Sequence, residues 1–142
     1  MAGLSDTLTQ YRTKLTAEGF SNLPANIDID DLPASNLHRT YKLSIENFGQ
    51  LGNIHAGGSL VEYFSEIKLE VYWDPEFDTE AIWNTIGTDV ENLSKVMIKA
   101  SNRNSGSILV TPSARFTFQE SPNRIKATAT FELRERLTQD VT

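Results

Sequence analysis

Residues 61–73 read "VEYFSEIKLEVYW". Val61, Tyr63, Ile67, Leu69, Val71 and Trp73 take the odd positions, and Glu62, Glu66, Lys68 and Glu70 take the even ones. This period of two belongs to a strand with one covered and one polar face. A helix would gather Leu60, Tyr63, Phe64, Ile67 and Val71 on one stripe but strand Val61, Leu69 and Trp73 outside it. The strand template gives up only Ser65. At ~3.3 Å per residue the segment runs about 40 Å. A compact domain of this size has a radius of gyration of about 14–15 Å, so the strand reaches the edge of its own fold.

Upstream, "RTYKLSIENF" (39–48) alternates in the same way, with Tyr41, Leu43 and Ile45 on one face and Lys42, Ser44 and Glu46 on the other. "GQLGNIHAGGS" (49–59) joins the two strands, so they pair antiparallel around a glycine-rich tip. Downstream, "DPEFD" ends the long strand, because proline cannot continue a central ladder. A helix then runs from a cap at Asp78 or Thr79 to about residue 100. Ile82, Ile86, Val90, Leu93 and Met97 form its apolar stripe, and Trp83 and Val96 widen it.

The N-terminal helix spans about residues 5–18, with Leu4, Leu8, Tyr11 and Leu15 as its stripe and Gly19 as its stop. Residues 21–38 hold two prolines and read as an irregular connection, with a short extended piece near Ile27 to Ile29. At the other end, "SILVTPSARFTFQ" places Ile108, Val110, Ala114, Phe116 and Phe118 on one face. "RIKATATFELRERL" places Ile125, Ala127, Ala129, Phe131, Leu133 and Leu137 on one face, and "ESPN" turns between the two. The expected fold is α+β, a mixed α/β chain in the order α–β–β–α–β–β. It makes a single domain over residues 1–142, with a four-stranded, mainly antiparallel sheet of long hairpins and two helices on one face.

The chain has 142 residues, a net charge of −6 and no cysteine. Its pI is near 4.9. Acidic composition argues against gripping nucleic-acid backbones, which needs clustered positive charge. Without cysteine there is no disulfide, thiolate metal site or cysteine nucleophile. The N-terminus lacks the apolar core of a signal peptide, and no apolar run approaches the ~20 residues of a membrane span. A soluble chain made in the cytoplasm is expected.

Chemistry is hard to find. Glu62, Glu66 and Glu70 lie four apart on a strand, ~13 Å between neighbours, too far for a carboxylate pair. A calcium loop counted from Asp28 would need glycine and glutamate where Pro33 and Arg39 stand. His38 and His55 are the only histidines and lack metal-ligand spacing. The glycines of 49–58 match no phosphate-binding loop and lie between two strands. No serine sits in a Gly-x-Ser-x-Gly elbow. The expectation is a protein without enzymatic activity, cofactor or metal.

A small acidic chain with an opening helix "LSDTLTQYRTKL", a long Tyr41–Trp73 hairpin, the helix "DTEAIWNTIGTDVENLSKVMIKA" and a closing "ARFTFQE…RIKATATFELRERL" hairpin resembles the tail terminator (tail completion) proteins of long-tailed bacteriophages. The likeness covers most of the chain and is one of element order. It implies a virion structural protein that forms a hexameric ring on the tail tube, ends its polymerisation and meets the head connector. The implied partners are the tube protein, the connector protein and further copies of the chain, assembled in the host cytoplasm. Six copies of net charge −6 would carry about −36, and DNA would pass such a lumen without binding. Gln50, Asn53, Ile54 and His55 at the loop tip are the candidate contacts to tube or connector. Glu62, Glu66, Lys68 and Glu70 are candidates for subunit or lumen surfaces. A head-closure protein or tube subunit is the neighbouring alternative, and a small-ligand-binding regulatory domain the more distant one.

Overall fold

In the computed structural model the described residues are 4–23, 29, 32–53, 60–77, 80–104, 107–111 and 114–138. The architecture is mixed α+β. Helix α1 (Leu4–Ala17) is followed by β1 (Ser21–Asn22), the single turn α2 (Ala34–Leu37), and the long strands β2 (Thr40–Asn53) and β3 (Leu60–Trp73). Helix α3 (Ile82–Ile98) comes next, then β4 (Ile108–Leu109), β5 (Thr117–Ser121) and β6 (Arg124–Thr138). The sheet order is β1-β2-β3-β6-β4, with β5 also paired to β6. All pairings are antiparallel except the short β1–β2 contact.

Both long helices cover one face of the sheet. Leu8, Tyr11 and Leu15 of α1 and Ile82, Ile86, Leu93, Val96 and Met97 of α3 meet the odd-numbered side chains of β3 and β6 in one core. Trp73, Ile67, Leu69, Val71, Ala127, Phe131 and Leu133 are fully buried there. Burying a large apolar side chain contributes about 1.5–3 kcal/mol, so this alternation on two long paired strands is what makes the fold. On the opposite face, Leu23 and Leu37 close over Tyr72 at one end only.

The end of α3 is finished by side chains rather than by a glycine. Arg103 Nη1 donates to the carbonyls of Ile98 (2.9 Å) and Met97 (3.4 Å), and Asn102 Nδ2 donates to Val96 O at 2.8 Å. The Tyr11 hydroxyl donates to Met97 O at 3.0 Å, which ties α1 to the same turn. Orphan carbonyls at a helix C-terminus need such donors, and a guanidinium also suits the negative end of the helix dipole.

Several sequence expectations are corrected. The sheet has six strands, not four, and a third short helix is present. The first long strand does not stop at Phe48: β2 runs through the glycines to Asn53. Two register shifts, at Ile45/Asn47 and Gln50/Gly52, absorb its extra residues. Gly49 is needed because the ring of Phe64 on β3 lies over it; a Cβ there would sit 2.7 Å from Phe64 Cε1. The segment 107–119 is two strands, β4 and β5, which pair with different parts of β6. Ile108, Val110 and Phe118, assigned to a buried face, are exposed. Trp83 is also exposed (47 %), set edge-on to Phe118 with ring centroids 5.7 Å apart. The caps Asp78 and Thr79 and Ile27 of the expected extended piece lie outside the described residues, and Ile29, at its other end, lies in a 3-10 turn instead, its carbonyl accepting from Leu32 N at 3.2 Å.

Candidate interaction surface

β3 is the centre of the sheet, paired along its whole length by β2 on one side and β6 on the other. Its length therefore leaves no open edge of its own. The open edges belong to its neighbours. β1 covers β2 only at Thr40 and Tyr41, and β4 and β5 pair with β6 at 133–134 and 124–128. Among the described residues, β2 from Leu43 to Asn53 and β6 beyond Glu135 have no outer strand.

The helical layer also stops short on β2. Leu43 is 6 % exposed, but Ile45, on the same side of the strand, is 47 % exposed and Phe48 53 %. The bulge at Glu46 brings Phe48 back to that side, where its ring stacks on Tyr63 at 5.5 Å and 13°. Leu51 is exposed too (48 %). Three large apolar side chains are thus exposed along the distal half of β2, the outer strand of an arm that it forms with the far ends of β3 and β6. Monomeric soluble proteins seldom leave contiguous apolar surface beside an unpaired strand edge, since both invite association.

The other face of the sheet carries a charged ladder. Lys68 Nζ lies 2.8 Å from Glu46 Oε1 and 3.5 Å from Glu70 Oε1. Lys126 Nζ lies 2.9 Å from Glu70 Oε2, and the Tyr72 hydroxyl donates to the same carboxylate at 3.1 Å. Farther out, Arg134 stands between Glu132 (3.6 Å) and Glu62 (3.9 Å), and Asn47 Nδ2 donates to Glu66 Oε2 at 3.1 Å. These pairs join three strands, so opposite charges face each other across the ladder.

Glu70 is 7 % exposed. Burial pushes its carboxyl pKa up, but the Lys126 and Lys68 ammonium groups and the Tyr72 hydroxyl outweigh it, and the net shift is downward. The Lys68 ammonium is shifted upward, chiefly by its hydrogen bond to Glu46. A carboxyl whose pKa is lower folded than unfolded stabilises fully above its unfolded value and loses that contribution as pH falls through the folded one. Thermal melts followed from neutral pH to below 4 are therefore expected to fall more steeply for the wild type than for Glu70→Gln. Parallel acid limbs would dismiss the ladder as a stabilising element.

The candidate residues named from sequence are distributed as follows. Glu62, Glu66, Lys68 and Glu70 do share the open face, but each is engaged by a side chain of its own chain. Gln50 and Asn53 are strand residues of β2 rather than loop-tip residues. Ile54 and His55 lie outside the described residues. His38 accepts the Asp74 backbone N–H at Nδ1 (3.1 Å) and stacks on Phe77. Among the described residues no group of three or more His, Cys, Asp or Glu is placed to hold a metal.

Sequence reasoning missed two buried polar centres. Asp89 of α3 is 4 % exposed. It accepts from Arg39 Nε (3.0 Å) and Nη2 (3.1 Å) and from the Trp73 indole N–H (2.9 Å). Arg39, held at a positive φ of 55°, also lies over the Phe20 ring at 4.5 Å. The second centre is Glu135, which accepts from Asn104 Nδ2 (3.2 Å) and the Thr7 hydroxyl (3.4 Å). Both are structural: each carboxylate is saturated by donors of its own fold. A tryptophan on the buried face of β3, whose N–H needs an acceptor, was the available signal for Asp89.

No protein-family model matches the chain, and no curated protein matches it.

Proposed function

We propose that this chain is a virion structural protein, a tail terminator whose copies form a ring that caps a tail tube and joins it to the head connector. One observation carries the reading. Beyond Leu43 the helical layer leaves β2 uncovered: Ile45, Phe48 and Leu51 are exposed on it, and among the described residues β2 from Leu43 to Asn53 and β6 beyond Glu135 have no outer strand. Such an arm is suited to being covered by something else, and copies of the chain are the simplest cover. Apart from β1, α2 and the division of the third expected strand, the elements follow the order α1-β2-β3-α3-β4/β5-β6, on which the resemblance rests. Absence of enzymatic activity is part of the proposal, as are a tube protein and a connector protein as partners and a virion location.

Under this reading the arm residues, with Gln50 among them, meet a neighbour or the tube, and the saturated ladder on the open face forms a polar wall. A ring closes because each copy offers two different surfaces related by a fixed rotation. Electron microscopy of the purified protein tests it. Closed rings of one diameter are the expected image. Tubes of indefinite length would assign the chain to the tube instead, and a field of monomers that do not collect on tube ends would remove the reading.

A further inference from the structure

Away from the arm the molecule carries a knob and a groove. Between β3 and α3, Phe77 is 69 % exposed, held up by stacking on His38 at 4.1 Å. Its amide donates to Asp74 O at 3.2 Å, and the Glu76 amide donates to Asp74 Oδ1 at 3.0 Å, so residues 74–77 are held in a turn. Glu76, next to Phe77 in the chain, and Glu80 are exposed. An exposed aromatic ring held in place by stacking can serve as the anchor of a contact.

The groove lies between α1 and the last turns of α3. Its volume is about 300 Å³, and Ala17 and Val96 are its apolar lining, with Asn92 and Asn102 beside them. Lys14, Lys95 and Lys99 stand around it with Glu18 as the one carboxylate. All three lysines are exposed, and among the described residues none of them makes an ion pair. In a chain of net charge −6, this is a local concentration of positive charge around an apolar slot. A slot of that size is small for a ligand pocket and suits one aromatic side chain.

We infer that the Phe77 loop of one copy docks in the Lys14/Lys95/Lys99 groove of the next, with Glu76 and Glu80 against the lysines. The occupant is a second copy because the two surfaces are complementary in charge, an exposed aromatic ring with acidic neighbours against a groove of Ala17 and Val96 ringed by lysines. They do not meet within one chain: no residue of the loop lines the groove, and Phe77 precedes α3, whereas Lys95 lies about 20 Å along it from its first residue. Contact between two different surfaces is heterologous, the type that builds rings or filaments rather than pairs. The inference rests on the ring reading and deepens it by naming a second contact between its copies, beside that of the arm.

The test is a charge swap, read by sedimentation of the full chain. Lys95→Glu with Lys99→Glu makes groove and loop both acidic; Glu76→Lys with Glu80→Lys makes both basic. Each variant alone is expected to associate at least about tenfold more weakly than the wild type, as charge juxtaposition at a contact does. An equimolar mixture of the two restores association, because every groove then finds a loop of opposite charge. Circular dichroism confirms that each variant is folded. If both variants assemble like the wild type, the contact is overturned while the ring reading stands. If the folded variants fail to rescue each other, or wild-type association does not weaken with salt, the contact is overturned as well. Capture of inorganic phosphate by a wild type that stays monomeric would reassign the groove to an anion.

Discussion

Replacing Asp89 by alanine is expected to lower folding stability by about 3 kcal/mol, at the low end for breaking a buried ion pair because Arg39 keeps some access to water. Asp89 serves three donors at once: two nitrogens of Arg39 and the indole N–H of Trp73, whose side chain is fully buried. Alanine leaves the indole N–H without an acceptor and the guanidinium without its counter-charge. The positive φ of Arg39 then has less to hold it, since the bidentate pair and the Phe20 ring fix that residue together. For a chain of this length, 3 kcal/mol corresponds to a drop of about 10 °C in melting temperature. Asp89→Asn retains an acceptor for Trp73 and should lose less. A loss below 1 kcal/mol for Asp89→Ala would show that the centre is dispensable.

The second large effect concerns assembly. Phe48→Asp combined with Leu51→Asp is expected to leave the fold intact, since both side chains are about half exposed and exposed substitutions usually move stability by less than about 0.5 kcal/mol each. Association of copies, or capture on a tube end, is expected to weaken by about thirtyfold, the roughly 2 kcal/mol of an aromatic anchor lost from an interface. Far-ultraviolet circular dichroism and a melt establish the first half, and sedimentation or electron microscopy the second. Unchanged assembly would mean that the arm is not an interface. Collapse of the fold would mean that the Phe48–Tyr63 stack is needed inside one subunit.

The parts of this fold that were legible in the sequence are those where one physical rule acts alone. The alternation of 61–73 and 124–137 gave both central strands to within a residue, because each has one face under the helices and one face in water. The stripe Leu8, Tyr11, Leu15 gave α1 for the same reason. Misreadings arose where two rules compete. Gly49 looked like a loop signal, yet it lies in a strand to make room for Phe64. Trp83 looked like core because it is aromatic and near the stripe, but its position on α3 turns it toward Phe118 at the surface. Segment 107–119 alternates well enough for one strand, but β6 receives it as two.

The candidate surface was less legible than the fold. Charge alternation located Glu62, Glu66, Lys68 and Glu70 on one face, but it could not show that Glu46, Asn47, Tyr72, Lys126 and Arg134 would engage them. The cross-strand partners come from register, which the bulges in β2 set. The exposed apolar group on the arm was hidden by the same bulges, since Phe48 follows an extra residue that changes which side it faces. The knob at Phe77 and the groove between the helices come from segments distant in sequence, and no local pattern announces either.

The arm has an odd number of strands. β2 and β6 both run against β3, so its two flanks point the same way along the chain. A row of copies joined flank to flank in parallel, β2 of one beside β6 of the next, therefore has every member facing in one sense. Closed into a circle, such a row presents two unlike rims, as a coupling between two dissimilar bodies requires.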